Sequence, residues 1–157
     1  MRIIRTALVL ALGLAVVGVA AGPAYAQETC FGVAENAQVG SGGPDVIVGT
    51  SSAERIQGRA SHDRLCGVGG GDFIEGDAGN DQIDGGAGND TLVGGWGNDL
   101  IVGGAGRDQI RGGLGNDSIQ AADNEVDTID CGPGANDSVV ADTIDIIAGN
   151  CENVTFD

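Results

Sequence analysis

Acidic residues recur through the middle of this chain at a fixed spacing of nine residues. Between residues 40 and 120, the sixth position of each nine-residue unit carries a carboxylate: Asp45, Glu54, Asp63, Asp72, Asp81, Asp90, Asp99, Asp108 and Asp117. Acids that only keep a protein soluble would show no such phase. Because carboxylates held this regularly repel one another, a compact form of the chain needs counterions close to them.

Two other positions of the same unit are equally regular. Every unit begins with glycine, and the eighth position is always aliphatic: Ile47, Ile56, Leu65, Ile74, Ile83, Leu92, Ile101, Ile110 and Ile119. A short strand centred on the aliphatic residue, preceded by a six-residue glycine-rich turn, accounts for both positions. Two units then make one coil, so the sequence predicts about four and a half coils of parallel strands, stacked at ~4.8 Å around a narrow apolar interior.

The strict units, which begin at Gly85, Gly94 and Gly112, have the pattern G-G-x-G-x-D-x-U-x, where U is aliphatic. This pattern resembles the nonapeptide of the RTX, or haemolysin-type, calcium-binding repeats. The resemblance implies an all-β fold, a right-handed parallel β-roll (a β-solenoid), with several Ca²⁺ ions held between neighbouring turns. In that family the ligands are aspartate carboxylates and backbone carbonyls of the glycine-rich loops.

The resemblance also implies which residues hold metal. The carboxylate ligands would be Asp45, Asp63, Asp72, Asp81, Asp90, Asp99, Asp108 and Asp117. The carbonyl ligands would come from the glycines of the last four units: Gly85, Gly86, Gly88, Gly94, Gly95, Gly97, Gly103, Gly104, Gly106, Gly112, Gly113 and Gly115. Since alternate units lie on the same side of the coil, each ion is expected between one unit and the next but one.

Departures from the pattern are concentrated in the earlier units. Ser41, Thr50, Arg59, Val68 and Asp77 replace the second glycine, and Glu54 replaces an aspartate. We therefore expect the calcium sites to be best formed from residue 76 onward. The asparagines at the fifth position of several units are expected to form turns rather than to bind metal.

The two ends of the chain differ from the repeats. Residues 1–26 have the features of a secretory signal peptide, with Arg2 and Arg5 before an apolar run and with Ala24 and Ala26 as the small residues of a cleavage site. The predicted organisation is this leader, an N-terminal cap at 27–39, the repeats at 40–120, and degenerate repeats with a C-terminal cap at 121–157. The leader predicts secretion, and the sequence leaves the periplasm open as a destination.

The chain has four cysteines, Cys30, Cys66, Cys131 and Cys151. In an exported protein they indicate two disulfides. Of the three pairings, we favour the one that links Cys30 with Cys66 and Cys131 with Cys151, because it is local to each end and would pin the two caps. A zinc site is disfavoured, because no C-x-x-C motif occurs and His62 is the only histidine.

Charge and length narrow the function classes. The formal net charge is −16, and removal of the leader takes away two arginines and no acid. Such a surface repels nucleic acid and anionic lipid, and no segment after the leader is long and apolar enough to span a membrane. We expect His62 to be exposed and not catalytic, and the residues outside the repeats are too few for an ordinary catalytic domain.

The sequence therefore predicts a monomeric, non-enzymatic, secreted calcium-binding protein that folds on binding Ca²⁺. A structural or adhesion role, toward a cell-surface or matrix partner that the sequence does not name, would follow. A small calcium-dependent extracellular hydrolase, or a protein associated with one, is the alternative. Ice binding by a flat solenoid face is a third interpretation, and it lacks a regular threonine column.

Overall fold

The computed structural model describes residues 37–157. The predicted leader, and the predicted N-terminal cap up to residue 36, lie outside the described residues. The described part of the chain contains β-strands and turns and no helix. It accordingly contains no helix of the length and apolarity needed to cross a membrane.

The strands form two parallel sheets of seven strands each. One sheet contains β1 (Ala37–Val39), β3 (Arg55–Ala60), β5 (Phe73–Ala78), β7 (Thr91–Trp96), β9 (Gln109–Leu114), β11 (Thr128–Asp130) and β13 (Ile146–Ile147). The other contains β2 (Val46–Val48), β4 (Arg64–Cys66), β6 (Gln82–Ala87), β8 (Leu100–Ala105), β10 (Ser118–Gln120), β12 (Ser138–Ala141) and β14 (Asn153–Phe156). Because the chain alternates between the sheets, it forms a β-solenoid of about seven turns.

The interior is a double column of aliphatic side chains from the eighth position of each unit. Ile74, Leu92 and Ile110 stack in register across β5, β7 and β9. The eighth-position side chains from Ile47 to Ile119 are all buried, with 8% exposure or less. The predicted all-β parallel solenoid is therefore confirmed, and the aliphatic column is its core.

The strands of the central coils are longer than the sequence analysis predicts. The strand β7 has six residues, Thr91–Trp96, and the turn that follows it contains only Gly97, Asn98 and Asp99. The prediction of a three-residue strand and a six-residue turn is wrong here. The reason is the second glycine of the unit: Gly95, at φ +115°, bends the chain while its pairing with Asp77 in the neighbouring strand continues.

The coil continues beyond residue 120 with longer repeats. Ile129 lies in register with Ile110, and Val139 with Ile119, so these coils contain nineteen and twenty residues. The predicted disulfide between Cys131 and Cys151 is confirmed, with the two Cα atoms 5.3 Å apart. The predicted pairing of Cys30 with Cys66 involves a residue outside the described part of the chain and stays a prediction.

Candidate metal centre

The sixth-position acids form two columns, one at each edge of the solenoid. The backbone N–H of Asp63 donates to Oδ1 of Asp81 at 2.8 Å, and that of Asp81 donates to Oδ1 of Asp99 at 2.8 Å. At the opposite edge, Asp72 donates to Asp90 at 2.7 Å in the same way. One oxygen of each carboxylate thus connects its coil to the preceding coil.

The other oxygen of these carboxylates is buried and has no hydrogen-bond partner in the described structure. This holds for Oδ2 of Asp63, Asp72, Asp81, Asp90, Asp99, Asp108, Asp117, Asp127 and Asp137. Each of these aspartates is 3% exposed or less. Burial of an unpaired charge is strongly unfavourable, so a regular array of such atoms points to a cation that the coil is built to receive.

Six of these oxygens face a backbone carbonyl of the next coil: Oδ2 of Asp63, Asp72, Asp81, Asp90, Asp99 and Asp117. A Cβ atom added to Gly94 would lie 2.4 Å from Oδ2 of Asp99 and 2.4 Å from the carbonyl oxygen of Gly112. At Gly85 the corresponding distances are 2.6 Å to Asp90 and 2.4 Å to Gly103. Because the two oxygens converge on the space that a side chain would fill, only glycine fits at Gly85 and Gly94.

The predicted glycine ligands divide into two groups. The first glycines of the units, Gly94, Gly103 and Gly112, direct their carbonyls toward an aspartate Oδ2 of the preceding coil, and Gly85 does the same toward Asp72. The remaining glycines have positive φ, and a Cβ on any of them would meet a backbone carbonyl of the preceding coil within 2.5 Å: Gly86, Gly88, Gly95, Gly97, Gly104, Gly106, Gly113 and Gly115. Carbonyls of the first group thus lie beside carboxylate oxygens, and in the second group the Gly115 carbonyl lies beside the Asp137 carboxylate, because both converge on the Cβ position of Gly134.

The electrostatics of the columns follow from burial. The pKa of Asp99 is raised to about 7, chiefly by desolvation and also by the charges of Asp117 and Asp81, against the lowering effect of the hydrogen bond from the Asp81 backbone. Desolvation likewise raises the pKa of Asp108 to about 6 and that of Asp127 to about 7. The pKa values of Asp63, Asp72, Asp81, Asp90 and Asp117 are also raised, with desolvation as the main cause. Without a cation, these groups keep their protons to a higher pH than an ordinary aspartate does.

The first two acids of the array differ from the rest. Oδ2 of Asp45 accepts hydrogen bonds from the backbone N–H of Ser41 at 2.6 Å and from its hydroxyl at 3.0 Å. The Glu54 carboxylate accepts the backbone N–H of Thr50 at 2.7 Å and the Thr50 hydroxyl. Ser41 and Thr50 stand where the strict units have glycine. Their hydroxyls give these two acids the partners that the later aspartates lack.

Two further aspartates with an unpartnered Oδ2 belong to the array, and the sequence analysis does not include them because they lie after the nine-residue frame slips. Asp108 donates its N–H to Oδ1 of Asp127 at 2.8 Å, and Asp117 donates to Oδ1 of Asp137 at 2.7 Å. The usable signal was D-T-I at residues 127–129 and N-D-S-V at residues 136–139, which repeat the end of a unit. The insertions lengthen the turns and leave the aspartates in their columns.

The fifth-position residues connect the turns. The backbone N–H of Asn98 donates to Oδ1 of Asn80 at 2.9 Å, and that of Asn116 donates to Oδ1 of Asn98 at 2.8 Å. At the start of this column, Nδ1 of the exposed His62 accepts the N–H of Asn80 at 2.7 Å. These side chains stabilise the stack of turns, and their oxygens are engaged with backbone donors.

Side chains alone do not form a metal cluster in residues 37–157: no three His, Cys, Asp or Glu side chains lie close enough to hold an ion. A cation at these edges would need backbone carbonyls in addition to carboxylates. Ca²⁺ fits this donor set, because it takes six to eight oxygen ligands, carbonyls included, in flexible geometry. Zn²⁺, which prefers nitrogen and sulfur ligands, does not fit it.

A family model matches the same part of the chain. The RTX calcium-binding nonapeptide repeat, described as four copies, matches residues 39–74, 67–101 and 93–124. No curated protein and no solved structure matches the chain. The matched segments cover more than half of the sequence and contain the column aspartates from Asp45 to Asp117. The chain therefore belongs to the family of RTX calcium-binding nonapeptide-repeat proteins.

Proposed function

We propose that this protein is a secreted calcium-binding module whose β-solenoid folds when Ca²⁺ enters between its coils. One observation carries the proposal: nine buried Oδ2 atoms have no hydrogen-bond donor, and six of them face carbonyl oxygens of the next coil. A carboxylate oxygen and a carbonyl oxygen, both carrying negative charge, face each other there. Such a pair is unfavourable until a cation separates them.

The ligands would come from this chain's own edges. At one edge, Asp63, Asp81, Asp99 and Asp117 would supply carboxylate oxygens together with the carbonyls of Gly76, Gly94 and Gly112. At the other edge, Asp72 and Asp90 would act with the carbonyls of Gly85 and Gly103. When bound, Ca²⁺ supplies the positive charge that compensates these carboxylates. Asp45 contributes less, since Ser41 already occupies its Oδ2.

Folding and binding are coupled in this proposal. The chain is strongly acidic and contains few bulky apolar residues, so the metal-free form is expected to be largely disordered. Extracellular calcium modules commonly bind in the range of roughly 10⁻⁴ to 10⁻³ M. The coil would accordingly be disordered before export and ordered outside the cell.

The biological role that we propose is structural: a rigid, acidic, monomeric rod that acts as an adhesion or interaction module at a cell surface or in the extracellular matrix. Support comes from the elongated stack of parallel coils and the acidic composition. The RTX repeat is a calcium-binding structural fold and not a catalytic family. Secretion rests on the leader predicted from the sequence, and N-terminal sequencing of protein recovered from the medium should begin near Gln27.

Calcium titration tests the proposal. Circular dichroism and isothermal calorimetry would be recorded together on chelator-treated protein, first with Ca²⁺ and then with Mg²⁺ at the same concentration. We expect β-sheet signal and binding heat to develop together with Ca²⁺ only. Mg²⁺ is smaller, and it gives up its water reluctantly. A spectrum that is fully β-sheet in chelator, or an equal response to Mg²⁺, would contradict the proposal.

A further inference from the structure

Cys131 takes the place of the first glycine in its unit. A Cβ added to Gly112 would lie 2.4 Å from Oδ2 of Asp117 and 2.5 Å from the carbonyl oxygen of Cys131. In the preceding coil, the same position at Gly94 faces Asp99 and the carbonyl of Gly112. The Cys131 carbonyl thus bears the same relation to Asp117 that the Gly112 carbonyl bears to Asp99.

The backbone at Cys131 is held by a hydrogen bond from the preceding coil and by a disulfide. Its carbonyl accepts the N–H of Gly113 at 3.0 Å, its side chain is fully buried, and its sulfur is bonded to Cys151. The strand beyond it in the same sheet, β13, has only two residues. The sheet therefore supports this end weakly, and the disulfide is the strongest link between Cys131 and the last coil.

The column of aspartate carboxylates also continues beyond Cys131 in the sequence. Asp137 accepts the N–H of Asp117 on Oδ1 at 2.7 Å, and its own Oδ2 is buried without a partner. Both Cys131 and Asp137 lie after residue 124, where the family match ends. The oxygen-rich edge is therefore longer than the recognisable repeat.

We propose that the Asp117 carboxylate and the Cys131 carbonyl form a calcium site at the end of the regular repeats, and that the Cys131–Cys151 disulfide holds this carbonyl in position. The inference rests on the proposed calcium-binding function and adds one element to it: calcium affinity at this site depends on a covalent bond outside the ligand set. Groups that orient metal ligands in this way commonly change affinity by about tenfold to a hundredfold.

The test compares two backgrounds, the parent and the disulfide-free double variant Cys131→Ala/Cys151→Ala. Alanine is chosen because Ala121 and Ala141 already occupy buried interior positions in the neighbouring units. Asp117→Asn and the matched control Asp99→Asn are made in both backgrounds, and Ca²⁺ binding to all six proteins is measured by calorimetry, with circular dichroism at saturating Ca²⁺.

We expect loss of the disulfide to weaken one site by about tenfold or more and to leave the other sites unchanged. Asp117→Asn should weaken binding in the parent and add little in the disulfide-free protein, because both changes damage the same site. Asp99→Asn should lower binding by the same factor in both backgrounds, because four strands separate Asp99 from Cys131 along the chain.

Several results would overturn the inference. Equal losses from Asp117→Asn in the two backgrounds would show that the disulfide acts elsewhere. Unchanged binding in the disulfide-free protein, or its failure to gain β-sheet signal at saturating Ca²⁺, would also overturn it, since the proposal confines the effect to one site. If the parent itself binds no Ca²⁺, the proposed function has failed, and this is separate from a parent that binds normally with no dependence on the disulfide.

Discussion

Asp81 donates its backbone N–H to Oδ1 of Asp99 at 2.8 Å, although the two residues are 18 positions apart in the sequence. The second oxygen of Asp99 has no donor and converges with the carbonyl of Gly112. A single carboxylate therefore joins two coils through one oxygen and offers the other to a cation. The two functions can be separated by substitution.

Asp99→Asn should separate them, because the amide keeps an oxygen that can accept the Asp81 N–H while removing the negative charge. Its NH₂ group can also donate to the Gly112 carbonyl. We expect Ca²⁺ affinity or stoichiometry to fall clearly and the metal-free protein to gain β-sheet signal, as measured by calorimetry and circular dichroism. Asp45→Asn is the control, because Ser41 already occupies Oδ2 of Asp45. Equal effects of the two substitutions on calcium binding would contradict this assignment.

Acidification should stabilise the metal-free coil. Burial raises the pKa of Asp99 and Asp127 to about 7 and that of Asp108 to about 6. Since the folded-state pKa exceeds the unfolded value, the stabilising contribution is complete below the unfolded pKa and is lost as the pH rises through the folded pKa. Metal-free protein should therefore show more β-sheet signal near about pH 5 than near about pH 8.

Protons and Ca²⁺ should also compete for these carboxylates. The apparent calcium affinity is expected to fall as the pH is lowered through the same range, because metal binding requires the deprotonated form. Calorimetry at a series of pH values would measure this fall. An affinity that stays constant between about pH 8 and about pH 5 would argue that the aspartates with raised pKa are not the ligands.

Gly94→Ala should damage both folding and binding. The new Cβ would lie 2.4 Å from Asp99 Oδ2 and 2.4 Å from the Gly112 carbonyl, and so it would fill the space that a cation needs. Overpacking of this kind costs about 1–3 kcal/mol. The measurements are urea unfolding in saturating Ca²⁺ and calcium titration. Gly42→Ala is the control, because its Cβ would meet nothing within 4 Å. Similar losses in the two variants would refute a cation site between Asp99 Oδ2 and the Gly112 carbonyl.

Asn98→Ala tests the hydrogen bonds between turns. The substitution removes the acceptor for the Asn116 N–H, and we expect a loss of about 0.5–1.5 kcal/mol in the free energy of unfolding, with calcium stoichiometry unchanged. His62→Asn should be nearly neutral by the same measurement, because asparagine can accept the Asn80 N–H as the imidazole does. A loss of bound calcium in Asn98→Ala would show that the asparagine is a ligand.

Much of this protein was determined by the sequence alone. The nine-residue period predicted the all-β parallel solenoid, and the eighth-position aliphatic residues from Ile47 to Ile119 form its core as expected. This succeeded because each coil contacts only its neighbours, so one local rule, repeated in phase, generates the whole stack. The pairing of Cys131 with Cys151 also followed, because the two lie about one coil apart in the sequence.

The oxygens available to a cation were decided by the tertiary structure. Asp45 and Asp99 occupy the same position of the unit, yet only Asp99 has a buried oxygen without a donor, because Ser41 places a hydroxyl beside Asp45. Asp127 and Asp137 regain their columns despite inserted residues, since strand pairing between coils, and not spacing along the chain, sets their position. Residues that meet across two coils are about 18 to 20 positions apart, and their contacts depend on how the intervening turns fold. The residue order within a single unit does not determine this.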